Sequence, residues 1–415
     1  MNIVHFSWEF PPTIWGGLGT FATELSQKQV SFGNRVTVFA LNSGNNFSAS
    51  EKWNGVEVYR PKTLDLSSSL KLFANQDVYS WGSHFKFFAD VFNYNISSAA
   101  QLVNTLVRAD RRSFDIIDGH DWLGIIGGMI AKKELKLPLI FHIHSTEEGR
   151  SLGGGSRTIK NIEFEGAQNA DGIITVSYSM KQELQSLGFP EEKIRVCWNG
   201  VDPRKYDPNR IDPQDISVLR KTYGITTDEV MLFFVGRLVK VKGADNLVQA
   251  MPSVLEEFPN TKLVILGVGD METSLHRMIK DLGLQEKVLL RNEFVTEEER
   301  IVHYAASDVV VLPSLYEPFG IVCTEAMSMG KAVVVGARGI NGMREQVIPS
   351  GEHQCGRHVN PYDPADITWG IKQVLKSKEQ RILMGKNARE QVLQKFSWDT
   401  IAQRTLEIYK EFLQQ

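Results

Sequence analysis

The sequence predicts an α/β protein with two domains, each built on a doubly wound parallel sheet, that face a central cleft. Apolar runs typical of buried parallel strands alternate with helix-type stretches along the whole chain, as in a parallel sheet covered on both faces. The length of 415 residues exceeds what one ordinary core supports. A polar stretch rich in Pro and Asp, from Asn199 to about Asp228, interrupts the alternation and marks the join.

Seven strands are predicted in the first half of the chain, near Ile3–Ser7, Arg35–Ala40, Val56–Arg60, Asp115–Asp118, Pro138–His142, Gly172–Val176 and Ile194–Trp198. Five are predicted in the second half, near Val230–Val235, Lys262–Leu266, Lys287–Leu290, Asp308–Leu312 and Ala332–Val335. The two domains are accordingly predicted as Rossmann-like, over residues 1–202 and 203–395, with ligands bound at the carboxyl ends of their strands. The tail from Phe396 to Gln415 is predicted as a helix with Ser397 as its N-cap.

Composition and charge exclude several classes of function. The net charge of −3 predicts no nucleic-acid partner and does not indicate membrane association, although the sequence leaves that association open. The N-terminus lacks the basic and apolar regions of a signal peptide, and no apolar run is long enough to span a bilayer. The three cysteines lack the spacing of a zinc site. A reduced, cytoplasmic setting is therefore expected.

Two glutamates after the predicted strand Asp308–Leu312 carry the strongest functional signal. A proline and a glycine break the chain there, and the backbone N–H groups of residues 319 to 322 then open a helix, which is a ready site for an anion. Glu317 precedes this turn and Glu325 lies on the helix. One carboxylate could reach a sugar ring and the other a ribose diol, with a diphosphate between them. The segment therefore predicts a nucleotide-sugar site, with backbone contacts from Phe319, Gly320 and Ile321.

Two cations follow the first strand of the second half. Arg237 comes directly after that strand and Lys242 just before a helix that begins near Gly243. At the carboxyl end of a strand they suit a diphosphate leaving group, whose growing charge they would offset. Two solvated loop residues are the alternative, and the glutamates nearby favour the phosphate role. Gly267 and Gly269 follow the next strand and could border the nucleotide base, although a simple turn explains them equally well.

Gly16 and Gly17 precede a predicted helix in the first half, where the lack of side chains allows a phosphate or sugar to approach the backbone. The segment Gly17–Ala22 also fits the dinucleotide-binding pattern G-x-G-x-x-A. That fingerprint requires glycine directly after the strand, and Trp8–Pro12 intervenes, so a dehydrogenase is disfavoured.

Histidines end two predicted strands of the first half. His120 should point toward the cleft, where it could hydrogen-bond the sugar or help position its anomeric carbon, although a lone histidine is more often structural. His142 and His144 lie on one side of a strand, as metal ligands can, but no third ligand is spaced to complete a site and no D-x-D pair is present. We therefore predict no metal, and acceptor-side polar contacts from His142, His144 and Glu147.

Together these motifs resemble the retaining glycosyltransferases of the GT-B architecture, in the group 1 family that includes bacterial glycogen synthase-like enzymes. The resemblance covers essentially the whole chain. Its most specific parts are the two glutamates separated by seven residues, the two cations flanked by Gly236 and Gly243, and the segment Gly16–Leu18. The start of the chain, Trp8–Pro12 followed by Gly16–Gly19, looks most like glycogen synthases and maltose-1-phosphate synthases.

The resemblance implies that the C-terminal domain binds a nucleotide-sugar, that the N-terminal domain binds the acceptor, and that the final helix, residues 396–415, crosses back to the first domain. Its implied site residues are Arg237 and Lys242 on the diphosphate, Glu317 on the donor sugar, Glu325 on the ribose, Gly17 over the phosphates and His120 as the active-site histidine. It further implies transfer with retention of anomeric configuration, without a metal or other cofactor, by attack on the face that the leaving phosphate occupies.

The predicted function is transfer of a hexose, glucose in the first place, from ADP- or UDP-glucose to a saccharide or sugar-phosphate acceptor. Trp15 stands where bacterial glycogen synthases carry lysine, and Phe319 where they tend to carry cysteine, so the broader family is favoured over glucan elongation. Two alternatives stay open: transfer to a lipid-linked or cell-surface glycan, and a sugar-nucleotide-binding protein without catalysis.

Overall fold

The computed structural model describes residues 1–413, except for the side chain of Ser83. These residues form two compact units. The first comprises Met1–Asn199 and the segment that begins at Trp398, and the second spans Gly200–Ser397. The terminal helix predicted from Phe396 begins at Trp398 and is described to Leu413, so the last two residues of that prediction lie outside the described range.

The first unit contains an eight-stranded sheet. Its strands are β1 (Asn2–Phe6), β2 (Arg35–Phe39), β3 (Ser50–Trp53), β4 (Val56–Tyr59), β5 (Ile116–His120), β6 (Leu139–Ile143), β7 (Gly172–Thr175) and β8 (Ile194–Val196). They are ordered β3-β4-β2-β1-β5-β6-β7-β8, and only the pair of β3 with β4 is antiparallel among these strands. The chain builds outward from β1 on one side and then continues on the other side from β5, so the order reverses between β1 and β5.

The second unit contains a six-stranded parallel sheet. Its strands are β9 (Val230–Val235), β10 (Thr261–Leu266), β11 (Val288–Arg291), β12 (Val309–Leu312), β13 (Ala332–Gly336) and β14 (Gly356–Val359). They are ordered β11-β10-β9-β12-β13-β14, so the order reverses between β9 and β12. Open α/β sheets bind ligands outside the carboxyl ends of their strands at such a reversal.

Helices connect the strands of both sheets. Those of the first unit are α1 (Gly17–Ser31), α2 (Ser67–Leu70), α3 (Gln76–Tyr79), α4 (Phe85–Ala100, continued as a π-helix over Gln101–Ala109), α5 (Asp121–Leu135), α6 (Glu147–Arg150), α7 (Arg157–Asn169), α8 (Tyr178–Ser186) and the terminal α17 (Trp398–Leu413). Those of the second unit are α9 (Pro213–Thr222), α10 (Ala244–Glu257), α11 (Glu272–Asp281), α12 (Glu297–Ala306), α13 (Ile321–Ser328), α14 (Met343–Gln346), α15 (Pro364–Leu375) and α16 (Lys378–Lys395). None of the helices within residues 1–413 has both the length and the apolar character that crossing a bilayer requires.

Helices α1 and α17 bury one face of the first sheet. Phe21 of α1 and Ile408 of α17 belong to one apolar cluster with a row of isoleucines from four adjacent strands, Ile3, Ile116, Ile140 and Ile174. Side chains alternate between the two faces along a strand. The polar residues two positions further along β1, β5 and β6 therefore lie under the same two helices: His5, Asp118 and His142.

All twelve predicted strands are present, and the structure adds two that the sequence did not indicate. β3 is a mostly exposed antiparallel strand at one edge of the first sheet, and β14 lies at an edge of the second. An edge strand pairs on one side only and is less enclosed, so it need not be an apolar run.

Candidate functional site

The predicted phosphate-binding lysine and the first glutamate come together where the order of the second sheet reverses. Lys242 follows β9 and Glu317 follows β12, which are neighbouring strands. Gly243 allows the two loops to approach, because a Cβ atom at this position would lie 2.1 Å from the carbonyl oxygen of Pro313. Its φ of 70° also lies in the left-handed region that glycine adopts at little cost. The sequence at this turn therefore serves to place a cation beside a carboxylate.

Lys242 and Glu317 form an ion pair that leaves part of the carboxylate unused. Nζ of Lys242 lies 2.5 Å from Oε2 of Glu317, and the Ser314 hydroxyl lies 3.5 Å from the same oxygen. Within residues 1–413, Oε1 of Glu317 has no hydrogen-bond partner. A lysine ammonium carries three donors. The pair can thus add a hydroxyl at Oε1 and an anion at Nζ without being broken.

The N-terminus of α13 lies beside this pair. A Cβ atom on Gly320 would lie 3.1 Å from Cγ of Glu317. Gly320 caps the helix with a φ of 93° and has no side chain to satisfy the first N–H groups, which also lack partners within the helix. These groups are open to an anion. Phe319 turns its ring toward Phe396, with 6.0 Å between the centroids, and is 2% exposed, so only its backbone can serve the site.

The other predicted donor residues of the second unit lie after β9 and β10. Arg237 is exposed and forms no ion pair with any residue in the described range. A Cβ atom on Gly267 would lie 1.9 Å from the carbonyl oxygen of Gly236, and one on Gly269 would lie 2.3 Å from that of Leu238. Both glycines are therefore required for the packing of the two loops, whatever else they contact.

Glu325 of α13 is held by three side chains that the sequence did not indicate. Its Oε1 accepts from the Tyr206 hydroxyl at 2.8 Å and from Arg300 at 3.2 Å, and its Oε2 accepts from the Tyr304 hydroxyl at 2.8 Å. Burial and the Glu325 charge raise the pKa of Tyr304 well above its usual range, which keeps this hydroxyl a donor. A carboxylate offers about four acceptor positions, so one remains on Oε2.

Gly16 and Gly17 begin α1 in the first unit, and Glu9 bonds the backbone of this turn. Oε2 of Glu9 accepts from the N–H groups of Trp15 and Gly16 at 2.9 and 3.1 Å. The helix has no side-chain N-cap of its own, so the Glu9 carboxylate supplies the negative charge that a helix N-terminus favours. Both glycines are exposed, and a Cβ atom on Gly16 would meet open space.

The three predicted histidines lie together on the face of the first sheet that α1 and α17 cover. His120 and His142 have no exposed surface, whereas His144, directly after β6, is partly exposed. His120 also uses both ring nitrogens within the protein, with His5 at 3.0 Å and with His144 at 3.2 Å. His120 and His142 were expected to contact a sugar, but neither ring has an exposed atom in this structure. His144 is the member of the group that reaches the surface.

The third imidazole that the sequence did not reveal beside His142 and His144 is that of His120. One ring nitrogen from each of the three lies within 4.8 Å of the others, and His5, Asp118 and His120 form a second group of this kind. Two nitrogen–nitrogen hydrogen bonds run through these groups, from His5 to His120 and from His120 to His144. Nε2 of His142 has no hydrogen-bond partner within residues 1–413.

The Asp118 carboxylate lies among the histidines and contacts them through one oxygen. Tyr409 of α17 donates its hydroxyl to Oδ2 of Asp118, and Nδ1 of His142 lies 3.4 Å from the same oxygen. Burial disfavours the charge of Asp118, but the rings of His120 and His142 outweigh it and hold the pKa of Asp118 well below its usual range. Burial lowers the pKa of His120 to about 3.

Glu147, predicted on the acceptor side, takes part in a separate network of charged groups. Its Oε1 accepts from the N–H of Ser156 at 3.0 Å, and its Oε2 lies 3.3 Å from Arg150, which also pairs with Glu163 at 3.2 Å. Burial raises the pKa of Glu163 to about 7 and that of Asp121 to about 6. Glu147 thus ties the two ends of the segment from residue 147 to residue 156 together. The two buried carboxyls near it, those of Glu163 and Asp121, titrate close to neutral pH.

Two family descriptions match the chain, one in each half. "Glycosyltransferase Family 4" matches residues 15–205, and "Glycosyl transferases group 1" matches residues 215–391. Among curated relatives, an uncharacterized glycosyltransferase of Methanocaldococcus jannaschii is 35% identical over 415 residues, which cover 99% of this chain and 98% of the relative. The glycogen synthase of Mycobacterium tuberculosis is 28% identical over 99% of this chain and 94% of that protein.

Solved structures share the fold. The catalytic domain of starch synthase IV from Arabidopsis thaliana, bound to ADP and acarbose, matches with a TM-score of 0.77 at 18% identity, over 100% of this chain and 99% of that one. HepE of Anabaena, in complex with UDP and glucose, matches with a TM-score of 0.73 at 22% identity, over 99% and 100%. At such identities the likeness shows the GT-B fold. The 35% identity over nearly the full length of the archaeal relative goes further, and with the two family matches it shows that this chain belongs to the group 1 glycosyltransferases.

Proposed function

We propose that this glycosyltransferase moves a hexose, glucose in the first place, from a nucleoside-diphosphate sugar to a saccharide or sugar-phosphate acceptor, with retention of anomeric configuration. The observation that carries the proposal is the Lys242–Glu317 pair beside the N-terminus of α13. An ammonium, an unpartnered carboxylate oxygen and open backbone N–H groups lie together there. A diphosphate is recognised by the cation and the N–H groups, and a sugar hydroxyl by the carboxylate oxygen.

The donor is proposed to bind along the carboxyl ends of β9, β10 and β12. Oε1 of Glu317 accepts from a hydroxyl of the transferred sugar, and the remaining position on Oε2 of Glu325 accepts from the ribose. The diphosphate-binding groups are Arg237, Lys242 and the backbone N–H groups of Phe319, Gly320 and Ile321. The proposed contact with the base of the donor comes from Gly267 and Gly269.

In the proposed reaction the bond between the anomeric carbon and the β-phosphate oxygen breaks, and its electron pair stays on the phosphate. Arg237, Lys242 and the helix N-terminus stabilise the charge that develops on that oxygen. The acceptor hydroxyl attacks the same face of the sugar, its oxygen forms the new bond, and its proton passes to the leaving phosphate. In this scheme side chains supply the positive charge beside the phosphate, so the proposal assigns no role to a metal ion.

The names of the relatives support a sugar-nucleotide donor and a carbohydrate acceptor. They include glycogen synthase, an alpha-maltose-1-phosphate synthase of Mycolicibacterium smegmatis that is 27% identical over 71% of this chain, and D-inositol 3-phosphate glycosyltransferases. HepE of Anabaena has been solved with UDP-glucose, and the starch synthase domain with ADP. The acceptors in these names differ, so the experiment has to cover several donor bases and acceptors.

The test begins with thermal unfolding of the purified protein in the presence of ADP-, UDP- and GDP-sugars. A donor at one hundred times its Kd should stabilise the fold by about 2.7 kcal/mol and raise the Tm. The stabilising donor is then incubated with maltooligosaccharides, glucose 1-phosphate and inositol phosphate, and release of nucleoside diphosphate and the anomeric configuration of the product are measured. We expect release and a product of unchanged configuration.

Three outcomes would contradict the proposal in different ways. If no sugar nucleotide raises the Tm, the assigned donor site is wrong. If a donor binds but no acceptor, soluble or lipid-linked, releases nucleoside diphosphate, the chain is a binding protein without catalysis. If only a lipid-linked acceptor is used, the donor site stands and the acceptor class is wrong.

A further inference from the structure

Three hydrogen-bond donors meet at the buried Glu325 carboxylate from two parts of the second unit. Tyr206 comes from the segment before α9, and its hydroxyl lies 2.8 Å from Oε1 of Glu325. Arg300 and Tyr304 lie four residues apart on α12, a spacing that puts them on one face of the helix. Nη2 of Arg300 lies 3.2 Å from Oε1, and the Tyr304 hydroxyl lies 2.8 Å from Oε2. The carboxylate is therefore held through both of its oxygens.

The Tyr206 hydroxyl has one proton, and its neighbours indicate that Glu325 receives it. Nη2 of Arg300 lies 2.8 Å from this hydroxyl and can only donate to it. Two carboxylates remain as acceptors, Glu325 at 2.8 Å and Glu297 at 3.1 Å. Glu297 is the more exposed of the two and also pairs with Lys205 at 3.6 Å. The shorter and more buried contact, that with Glu325, is the one that needs the proton.

The backbone of Tyr206 is fixed as well as its side chain. Its carbonyl oxygen accepts from the Ser328 hydroxyl at 2.7 Å and from Arg389 at 2.9 Å. Ser328 lies on α13, the helix that carries Glu325. The donor and the acceptor of this hydrogen bond are thus tied to the same helix, so the Glu325 carboxylate has its orientation before any ligand arrives.

The number of contacts limits what else Glu325 can accept. A carboxylate has about four acceptor positions, two on each oxygen. Tyr206 and Arg300 fill both positions on Oε1, and Tyr304 fills one on Oε2. No other group within residues 1–413 donates to this carboxylate. A ribose presents two neighbouring hydroxyls, at its 2′ and 3′ carbons, and one position is left for them.

We propose that Glu325 accepts from only one of the two ribose hydroxyls of the donor, and that Tyr206 and Arg300 impose this choice by occupying Oε1. The inference rests on the proposed function, because it requires the ribose of a sugar nucleotide at Glu325. Glu325 is the contact residue. Tyr206 and Arg300 are positioning residues, which act on the ribose through the carboxylate that they hold.

The test uses ADP-glucose and UDP-glucose, each with its 2′-deoxy and its 3′-deoxy analogue, in calorimetric titrations of the unaltered protein. For the donor that binds, one of the two analogues should bind about tenfold more weakly than the parent, the equivalent of one lost hydrogen bond to a charged acceptor. The other analogue should bind within about twofold of the parent, since its missing hydroxyl has no position on Glu325.

Tyr206→Phe tests whether the choice of hydroxyl comes from the contacts at Oε1. The substitution empties one position there and loosens the carboxylate, which can then accept from either hydroxyl. The ratio between the Kd values of the two analogues should fall from about tenfold to about twofold. Tyr223→Phe is the matched control. Its hydroxyl also lies in the second unit and is hydrogen-bonded, to Nε2 of His303 at 2.8 Å. It should leave the ratio unchanged.

Two results would overturn the inference while the proposed function stands. One is a parent donor that binds and is turned over although both analogues lose affinity equally, or neither does. The other is a ratio that stays at about tenfold in Tyr206→Phe, because Tyr206 would then have a structural role only. Failure of the proposed function looks different, since neither parent donor would bind at all. The inference holds if one analogue alone is weakened and only Tyr206→Phe removes the difference.

Discussion

The ammonium nitrogen of Lys242 lies 2.5 Å from Oε2 of Glu317, although 75 residues separate the two along the chain. Their side chains are 20% and 10% exposed, so the pair is largely shielded from solvent. Each charge neutralises the other where two neighbouring strands, β9 and β12, end. The carboxylate is thereby fixed by one oxygen, and the other oxygen is presented in one direction. A charge contact that is in place before the ligand arrives loses little free energy to reorganisation when it acts.

Lys242→Ala is expected to lower kcat/KM roughly 10²- to 10³-fold, because it removes a fixed cation from the phosphate oxygen on which charge develops. The measurement is the initial rate of nucleoside diphosphate release over a range of donor concentrations. Lys240→Ala is the matched control, since Lys240 lies in the same loop, its side chain is 57% exposed and it pairs with Asp245. The control should keep nearly all activity. Equal losses in both variants would point to a disturbed loop rather than to a lost phosphate contact.

Glu317→Gln is expected to lower kcat/KM as well, because the amide replaces a charged acceptor for the sugar hydroxyl and breaks the ion pair. In a double-mutant cycle with Lys242→Ala the two losses should not add, since each substitution already removes the contact that fixes the other side chain. Initial rates of the four proteins give the coupling free energy. Additive losses would mean that the two residues act independently, and the ion pair would then have no part in catalysis.

Glu325→Gln is expected to weaken donor binding about tenfold, because a neutral amide oxygen is a poorer acceptor for the ribose hydroxyl than a carboxylate. Calorimetric titration with the donor gives the Kd. Glu297→Gln is the control: Glu297 also contacts the Tyr206 hydroxyl, at 3.1 Å, but its side chain is 38% exposed. Its donor Kd should not change. An unchanged Kd in Glu325→Gln would remove the ribose contact from the proposed site.

Most of the fold was predictable because a parallel strand buried on both faces has to be an apolar run. The two strands that were missed lie at sheet edges. β3, with the sequence Ser-Glu-Lys-Trp, is paired on one side and mostly exposed, and β14 begins with a glycine and an arginine. Neither carries the apolar pattern, so each is recognisable only through the strand with which it pairs.

The placement of the candidate site residues was predictable where they follow strands directly and not where it depends on sheet order. Arg237 and Glu317 could be found from the ends of β9 and β12. The contact of His5 with His120 requires β1 to lie beside β5, and no local sequence pattern predicts that these two strands are neighbours. Oε1 of Gln29 lies 2.8 Å from Nε2 of His5, but Gln29 lies on a helix, and its place over the same strands is a product of packing. The expected sugar contact of His120 stays a prediction, and tertiary packing, which no local pattern reveals, covers this ring completely.

Gly243→Ala is expected to destabilise the second unit more than Gly283→Ala does. The two glycines have φ values of 70° and 67°, so alanine at either costs about 1–2 kcal/mol in the left-handed region. A Cβ atom on Gly243 would also meet the carbonyl oxygen of Pro313 at 2.1 Å, whereas one on Gly283 would meet open space. Urea unfolding gives both free energies. Equal losses would mean that the loops after β9 and β12 do not need their close approach.

Glu163 provides a test of pH dependence, because the residue is only 3% exposed. Burial raises its pKa from the ordinary value of 4.5 to about 7, although Arg150 and the backbone N–H of Glu147 oppose the shift. Between these two pH values the folded protein binds more protons than the unfolded chain does. The stability that the raised pKa contributes is therefore fully present below pH 4.5 and is lost as the pH rises through 7.

Glu163→Gln should remove this loss, since the amide stays neutral at every pH. The free energy of unfolding of the variant, relative to the unaltered protein, should rise by about 2 kcal/mol between pH 5 and pH 8. Urea unfolding at the two pH values measures it. Other titrating groups, such as Asp121 and His120, are present in both proteins and cancel in this difference to the extent that they do not contact residue 163. A difference that stays constant from pH 5 to pH 8 would show that the carboxyl ionises as easily in the folded protein as in the unfolded chain, and burial would then not govern its protonation.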